Sequence, residues 1–395
     1  MMARLLRAAG RIGANPTGKR TGNLTANLGA NLGGNLTDTL GVAGIKLGWT
    51  ALRRMPSPLA YRLFQRLADI TVAREGKRVS RLRSNYAKAR PELDARELDR
   101  LVREGMRSYM RYYCEAFRLP DRSEAELLAA TTCHGADLVR DELSTGQGVV
   151  VFVGHCGNFD QAGAWAASQI APCTTVAERL KPEAVFQEFL RFREALQMQI
   201  IPLTGGPNPF AELKKAVAEG RFVCLAADRD LTSNGVEVDF LGHRARMAKG
   251  PAALSLLTGS PLHAATIHYE PDVASPLGGY RTVIDIGPRL IARVEGPTEA
   301  RVADLIQQCA DHLAGMIAEH TSSWHMLQRV FVEDLDPARR GSDAADQMAS
   351  QMAARTTDQE ADPVAPADPA ARATSPTITQ PTQATQATDA GTGER

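Results

Sequence analysis

Apolar and polar positions change period along the chain. Over residues 46–90, Leu47, Leu52, Leu59, Leu63, Leu67 and Ile70 recur at near-helical spacing, and Pro56 and Pro58 stand where proline punctuates or starts helices. This predicts an amphipathic helical hairpin. Residues 94–117 predict a further helix that packs on a core through Leu98, Leu101, Val102, Met106, Tyr109 and Met110. Beyond it the period shortens. β-type runs at Val149–Val153, Thr174–Ala177, Gln199–Pro202, Phe222–Ala226, Val236–Phe240, Pro261–His268 and Tyr280–Ile286 alternate with helical segments near 159–170, 182–197, 208–219, 250–258 and 298–320. Such alternation predicts an α/β fold, with a mainly parallel central sheet flanked by helices and the helical hairpin at its N-terminal side.

The two ends lack these patterns. Residues 20–40 repeat Asn-Leu between Gly, Thr and Ala without an apolar face, and residues 341–395 contain no aromatic residue, no Leu and no Lys. Neither stretch can bury enough apolar surface to offset chain entropy. The expected organisation is a flexible leader over 1–43, a folded body over 44–335 and a disordered tail over 336–395. Within the body, 44–120 is expected to be a helical, membrane-associating part and 121–335 an α/β catalytic core.

Charge sharpens the reading of the hairpin. The whole chain of 395 residues carries a formal charge of only +1, yet residues 46–90 hold twelve Lys or Arg against Asp69 and Glu75, a net of +10. A basic amphipathic hairpin suits an anionic membrane surface, where each basic residue near the headgroups contributes about 1 kcal/mol. The plainer alternative is a solvated basic face whose Leu stripe packs on the core. Nucleic-acid binding is not expected, because the basic stretch lacks interleaved aromatics and no finger or helix-turn-helix pattern occurs. No apolar run approaches the length of a transmembrane helix, and the first residues have no signal-peptide core, so a cytosolic compartment is expected. The six cysteines form no CxxC pair, and His243, His263, His268, His312, His320 and His325 show no ligand spacing, so neither a metal nor a cofactor is expected.

The candidate chemistry lies where the run Gly148–Gly154 delivers His155, Cys156, Gly157, Asn158, Phe159 and Asp160. Open α/β sheets bind ligands at the carboxyl ends of their strands. His155 brings the one side-chain type that ordinarily titrates near neutrality, and Asp160 at the start of the next helix is positioned in sequence to accept its ring N–H. Gly157 and Asn158 allow a sharp turn whose N–H groups can face developing negative charge. A structural histidine capped by Asp160 fits the same residues. A Cys156 nucleophile paired with His155 is disfavoured, because sequence neighbours on a turn usually point apart.

His155, Gly157, Asn158 and Asp160 resemble the H-x4-D motif, in its HxGNxD form, of the bacterial lipid A lauroyl/myristoyl acyltransferase family within the lysophospholipid acyltransferase superfamily. Further blocks resemble the family in the same order: Glu104–Tyr109, Ala177–Lys181 with Arg193 beyond it, Ala227–Leu231, Gly235–Gly242, Lys249–Leu254 and Ser323–Gln328. The resemblance runs from about Leu47 to Asp334, with Cys156 replacing the commoner aromatic. The Arg-Asp form of the third block and the closing Trp-His-Met-Leu-Gln are most similar to the actinobacterial phosphatidylinositol mannoside branch. What the resemblance implies is transfer of a long acyl group, palmitoyl in that branch, from acyl-CoA to a mannose hydroxyl of a phosphatidylinositol mannoside. The protein would act peripherally at the cytoplasmic face of the cell membrane. His155 would be the general base and Asp160 its orienting partner. Glu178 and Arg193 would shape the acceptor site, Asp228, Arg229 and Asp230 would complete its polar wall, and Glu237 is a lesser candidate. The alternatives are a lysophospholipid or other glycolipid acceptor, or a non-catalytic peripheral membrane protein.

Overall fold

The computed structural model describes residues 48–179, 183–230 and 234–335. The expected leader and tail, and Leu47, Leu180, Lys181 and Leu231 of the patterns above, lie outside the described residues. After a short helix over 48–54, α1 (Ser57–Ala73), α2 (Lys77–Ala89) and α3 (Ala95–Arg118) form the N-terminal helical layer. Three elements missed by the sequence pattern, α4 (Glu124–Ala129), β1 (Thr131–His134) and α5 (Ala136–Ser144), lead into β2 (Val149–Val153). Then come α6 (Phe159–Gln169), β3 (Cys173–Ala177), α7 (Glu183–Ala195), β4 (Gln199–Pro202), α8 (Pro209–Ala218) and β5 (Phe222–Ala226). The chain continues with β6 (Val236–Phe240), β7 (His243–Met247), α9 (Gly250–Thr258), β8 (Leu262–Pro271), β9 (Tyr280–Ile286) and α10 (Thr298–His320).

The expected α/β fold is present. A seven-stranded sheet runs in the order β1-β9-β8-β2-β5-β3-β4. The strands from β8 to β4 are mutually parallel, whereas β9 pairs antiparallel with β8 and parallel with β1. β2 lies in the middle and is buried on both faces, which explains its unbroken Val-Val-Val-Phe-Val sequence. β6, expected from its alternation, does not join this sheet but pairs with β7 in a separate antiparallel ribbon.

In the helical layer, α3 starts at a reciprocal capping box: Asp94 accepts from the Glu97 N–H at 2.8 Å and Glu97 from the Asp94 N–H at 3.0 Å. α1 packs along α3 through Ala60, Tyr61, Phe64 and Ala68. The expected Leu stripe is therefore not the core face of α1. Leu59 and Ile70 are 54% and 47% exposed, and Arg62, Arg66 and Arg74 are exposed around the same outer side.

Candidate active site

β2 and β5 are adjacent and parallel, with Val153 level with Ala226. Continuing each strand by two residues sets His155 opposite Asp228. The His155 ring Nδ1 lies 2.5 Å from Asp228 Oδ1, and the His155 backbone N–H donates to Oδ2 at 2.9 Å. Asp228 is buried, yet its carboxyl is held below the usual aspartate range. Burial alone would raise it, but the facing His155 ring and the two hydrogen bonds from His155 outweigh that effect. An ionised Asp228 accepting at Nδ1 fixes the tautomer that carries its proton there. Nε2 is left as the basic atom. The His155 side chain is 34% exposed, and Nε2 makes no hydrogen bond among the described residues.

This arrangement corrects the expected pairing of His155 with Asp160. Asp160 enters α6 facing inward and is fully buried; its Oδ2 accepts from the Tyr112 hydroxyl at 2.8 Å and its Oδ1 from Arg193 Nε at 2.9 Å. Burial works against the Arg193 charge, but the Asp160 carboxylate more than offsets it and raises the guanidinium pKa. Burial, reinforced by Asp160, likewise drives the Tyr112 hydroxyl well above its ordinary range. The second half of the H-x4-D motif thus ties α6 to α3 and α7 beneath the histidine.

The turn between them needs glycine. Gly157 has φ +53°, and a Cβ there would lie 2.6–2.8 Å from Ile267. Its N–H does not face an open site as expected, because it donates to Ser323 O at 2.9 Å. Asn158 also serves the framework rather than the site. Its Oδ1 caps α6 by accepting from the Gln161 N–H at 3.0 Å, and its Nδ2 donates to buried Glu115 at 3.0 Å. Burial raises the Glu115 carboxyl, opposed by Arg111 and by hydrogen bonds from Tyr269, Asn158 and Tyr61. Cys156 is buried and its thiol is pushed up to about 12 by burial, so it stays protonated and is no nucleophile.

The remaining candidates are spread more widely. Glu178 follows β3 at the same carboxyl edge and is exposed. Arg229 donates to Gln328, the Asp230 N–H donates to Arg246 O at 2.7 Å, and Glu237 accepts from Arg246 at 2.8 Å across the β6–β7 ribbon. Glu237 is thereby occupied in that ribbon rather than placed against His155.

Sequence reasoning missed His325 as a neighbour of the site. Its N–H donates to His155 O at 2.9 Å, and its Nε2 lies 2.8 Å from Ser108 Oγ. Burial, with a smaller effect from the nearby His155, lowers its pKa to about 3, so this ring is neutral. The Trp-His-Met-Leu-Gln block was the available signal. Residues 323–328 run beside the His155 turn, with Trp324 bridging Cys156, and α2 braces them through Asn85 to Met326 O at 2.7 Å and Tyr86 to Trp324 O at 2.9 Å.

A carboxylate–imidazole pair with an open nitrogen at a strand carboxyl edge is equipped to take a proton from a hydroxyl. Residues 36–333 match the model of the bacterial lipid A biosynthesis acyltransferase family. The chain is 37% identical over 298 residues to a phosphatidylinositol mannoside acyltransferase of Mycolicibacterium smegmatis, covering 75% of this chain and 93% of that protein. It is 36% identical over 296 residues to a phosphatidylinositol mannoside acyltransferase of Mycobacterium tuberculosis, covering 74% of this chain and 89% of that protein. The chain belongs to the bacterial lipid A biosynthesis acyltransferase family, and its chemistry is acyl transfer.

Proposed function

We propose that the protein moves a long fatty acyl group, palmitoyl by the resemblance of its sequence blocks, from acyl-CoA to a mannose hydroxyl of a phosphatidylinositol mannoside. The observation that carries this reading is the His155–Asp228 pair with Nε2 open at the carboxyl edge of the sheet. Nε2 takes the hydroxyl proton while that oxygen attacks the thioester carbonyl. The new C–O bond forms, the C–S bond breaks, and the proton passes from Nε2 to the departing CoA thiolate. Asp228 stabilises the intervening imidazolium. No covalent acyl-enzyme is required, in keeping with the protonated Cys156 thiol. Support for the acceptor comes from the relatives in the two mycobacterial species, each a phosphatidylinositol mannoside acyltransferase by name.

The acceptor is a membrane lipid, and the outer side of α1 suits a peripheral protein at the cytoplasmic face of the cell membrane. Its exposed Leu59 and Ile70 stand among exposed Arg62, Arg66 and Arg74, an apolar strip within a basic field. No helix among the described residues is long and apolar enough to cross a membrane. Partly buried aromatic side chains between the 48–54 helix, α3 and α7 offer apolar surface for an acyl chain: the Trp49 ring lies 5.0 Å from Phe117 and 5.9 Å from Phe189.

The test is transfer of radiolabelled palmitate from palmitoyl-CoA to purified phosphatidylinositol mannosides, with a lysophospholipid as competing acceptor. Labelled mannoside is the expected product. Label found only in the lysophospholipid would overturn the acceptor while keeping the machinery, and transfer to neither would favour a non-catalytic membrane protein.

A further inference from the structure

Five titratable side chains that the acyl-transfer chemistry does not use gather on one face of the sheet: His134, His268, Glu270, Asp285 and His320. Strand register brings them together. His134 on β1 is level with Asp285 on β9, and Asp285 faces Thr266 on β8, so His268, two residues further along β8, lies diagonally across on the same face. His134 Nδ1 lies 2.6 Å from Asp285 Oδ1. The other Asp285 oxygen is 3.5 Å from His268 Nδ1, which nonetheless makes no hydrogen bond. Glu270 Oε1 is 3.4 Å from His268 Nε2. His320, the last residue of α10, stacks on the His268 ring with centroids 3.8 Å apart.

A neutral imidazole carries one N–H, yet His268 has a carboxylate oxygen beside each ring nitrogen. Whichever tautomer forms, one nitrogen lone pair faces a carboxylate. His268 is 4% exposed and lies face-on to a second imidazole. A metal cation at Nε2 removes the conflict without charging the ring.

We propose that His268, Glu270 and His320 bind a divalent transition-metal ion of the zinc type, with Asp285 accepting the Nδ1–H of His268 as an outer partner. Carboxylate–histidine–metal chains of this kind orient the ligand ring and raise its basicity. One ligand atom from each of the three residues lies within 4.8 Å of the others. Ligands around tetrahedral zinc sit about 3.4 Å apart, so the side chains close by at most about 1.4 Å on binding, with water as the fourth ligand. Glu270 and His320 are only partly buried, which leaves room for that rotation and a route for the ion. The carbonyl end of α10 adds a partial negative charge that favours a cation there. Such an ion would pin the end of α10 to β8 directly before residues 323–328, the segment that brackets the His155 turn.

The experiment uses untagged full-length protein, dialysed against chelator and titrated with Co2+ and Zn2+. The expected result is one Co2+ per chain with the visible absorption of a tetrahedral site, displaced by Zn2+. Affinity should fall at least tenfold in Glu270→Gln and in His320→Gln, whose folding is checked by circular dichroism. No stoichiometric Co2+ band would overturn the proposal. So would binding retained in both single variants, or NMR that finds His268 as an imidazolium unaffected by Zn2+. None of these readouts depends on acyl transfer, so the outcome is independent of the proposed acceptor.

Discussion

His155 and Asp228 stand level on two adjacent parallel strands, and their side chains meet at 2.5 Å just beyond the strand ends. The carboxylate that meets the His155 ring thus comes from the segment just after β5 rather than from the helix that follows His155 in sequence. Asp228→Asn keeps the shape but exchanges an ionised acceptor for an amide that can donate toward Nδ1, favouring the wrong tautomer. We expect the turnover rate to fall by about 10²- to 10⁴-fold, the range for loss of an aligned acid–base group, in a variant that remains folded. Steady-state kinetics beside a melting curve checks both halves.

Asp160→Asn should behave differently. It leaves Arg193 in place without its buried partner, which costs about 3–5 kcal/mol when a buried ion pair loses one member. The expected signature is a large loss of stability in urea unfolding, with activity recovering toward wild type at lower temperature. A purely kinetic defect at full stability would contradict the structural role given to this carboxylate.

His325 predicts an acid-sensitive stability. Its pKa falls from the ordinary value near 6.5 to about 3 on folding, so between these pH values the unfolded chain binds a proton that the native chain does not. Stability is therefore fully present above about pH 6.5 and declines as pH drops toward 3, by at most about 5 kcal/mol from this group. His325→Gln should flatten that slope. Melting temperatures of wild type and variant between pH 7 and 4 provide the measurement, and parallel curves would remove the claim.

Much of this architecture is legible in the sequence, for identifiable reasons. β2 announces itself because a strand buried on both faces needs an unbroken apolar run, and α3 because its apolar spacing begins at a capping box. β1 and β7 escape the pattern: each is short, and Thr131–His134 and His243–Met247 carry too many polar residues to show a strand period. The motif locates His155 but not its partner. Nearness in sequence favours Asp160, whereas the choice of Asp228 depends on β5 being the strand beside β2, which no local pattern encodes. Glu270 and His320 likewise meet His268 only because the end of α10 packs over β8; their separation along the chain gives no ligand spacing. The Leu stripe of α1 is visible in the sequence, but its direction is decided by α3, which packs against the opposite side.

Gly157→Ala tests the turn itself. A methyl group would have to displace Ile267 while the residue kept a left-handed φ, strain of about 1–3 kcal/mol. Stability should drop by that order, and activity should drop further because the shifted turn carries His155 off Asp228. Chemical-shift change at the His155 ring in the folded variant would report the displacement.

The outer side of α1 predicts membrane affinity that depends on both its apolar and basic residues. Replacing Leu59 and Ile70 by Ser, or Arg62, Arg66 and Arg74 by Gln, should each reduce co-sedimentation with anionic vesicles, and raised salt should affect wild type more than the Gln variant. Unchanged binding in both variants would place the membrane contact elsewhere.

The central claim is that His155, held by Asp228, removes the acceptor proton in a direct transfer from acyl-CoA. Single-turnover transfer of labelled palmitate to phosphatidylinositol mannoside, with substrates saturating, tests it most directly in wild type, His155→Ala and Asp228→Asn. The account predicts that both variants lose the chemical step by at least about 10²-fold and that no labelled protein accumulates in any of the three. A covalent palmitoyl-protein that forms and decays at the rate of transfer, or full-rate transfer by Asp228→Asn, would contradict it.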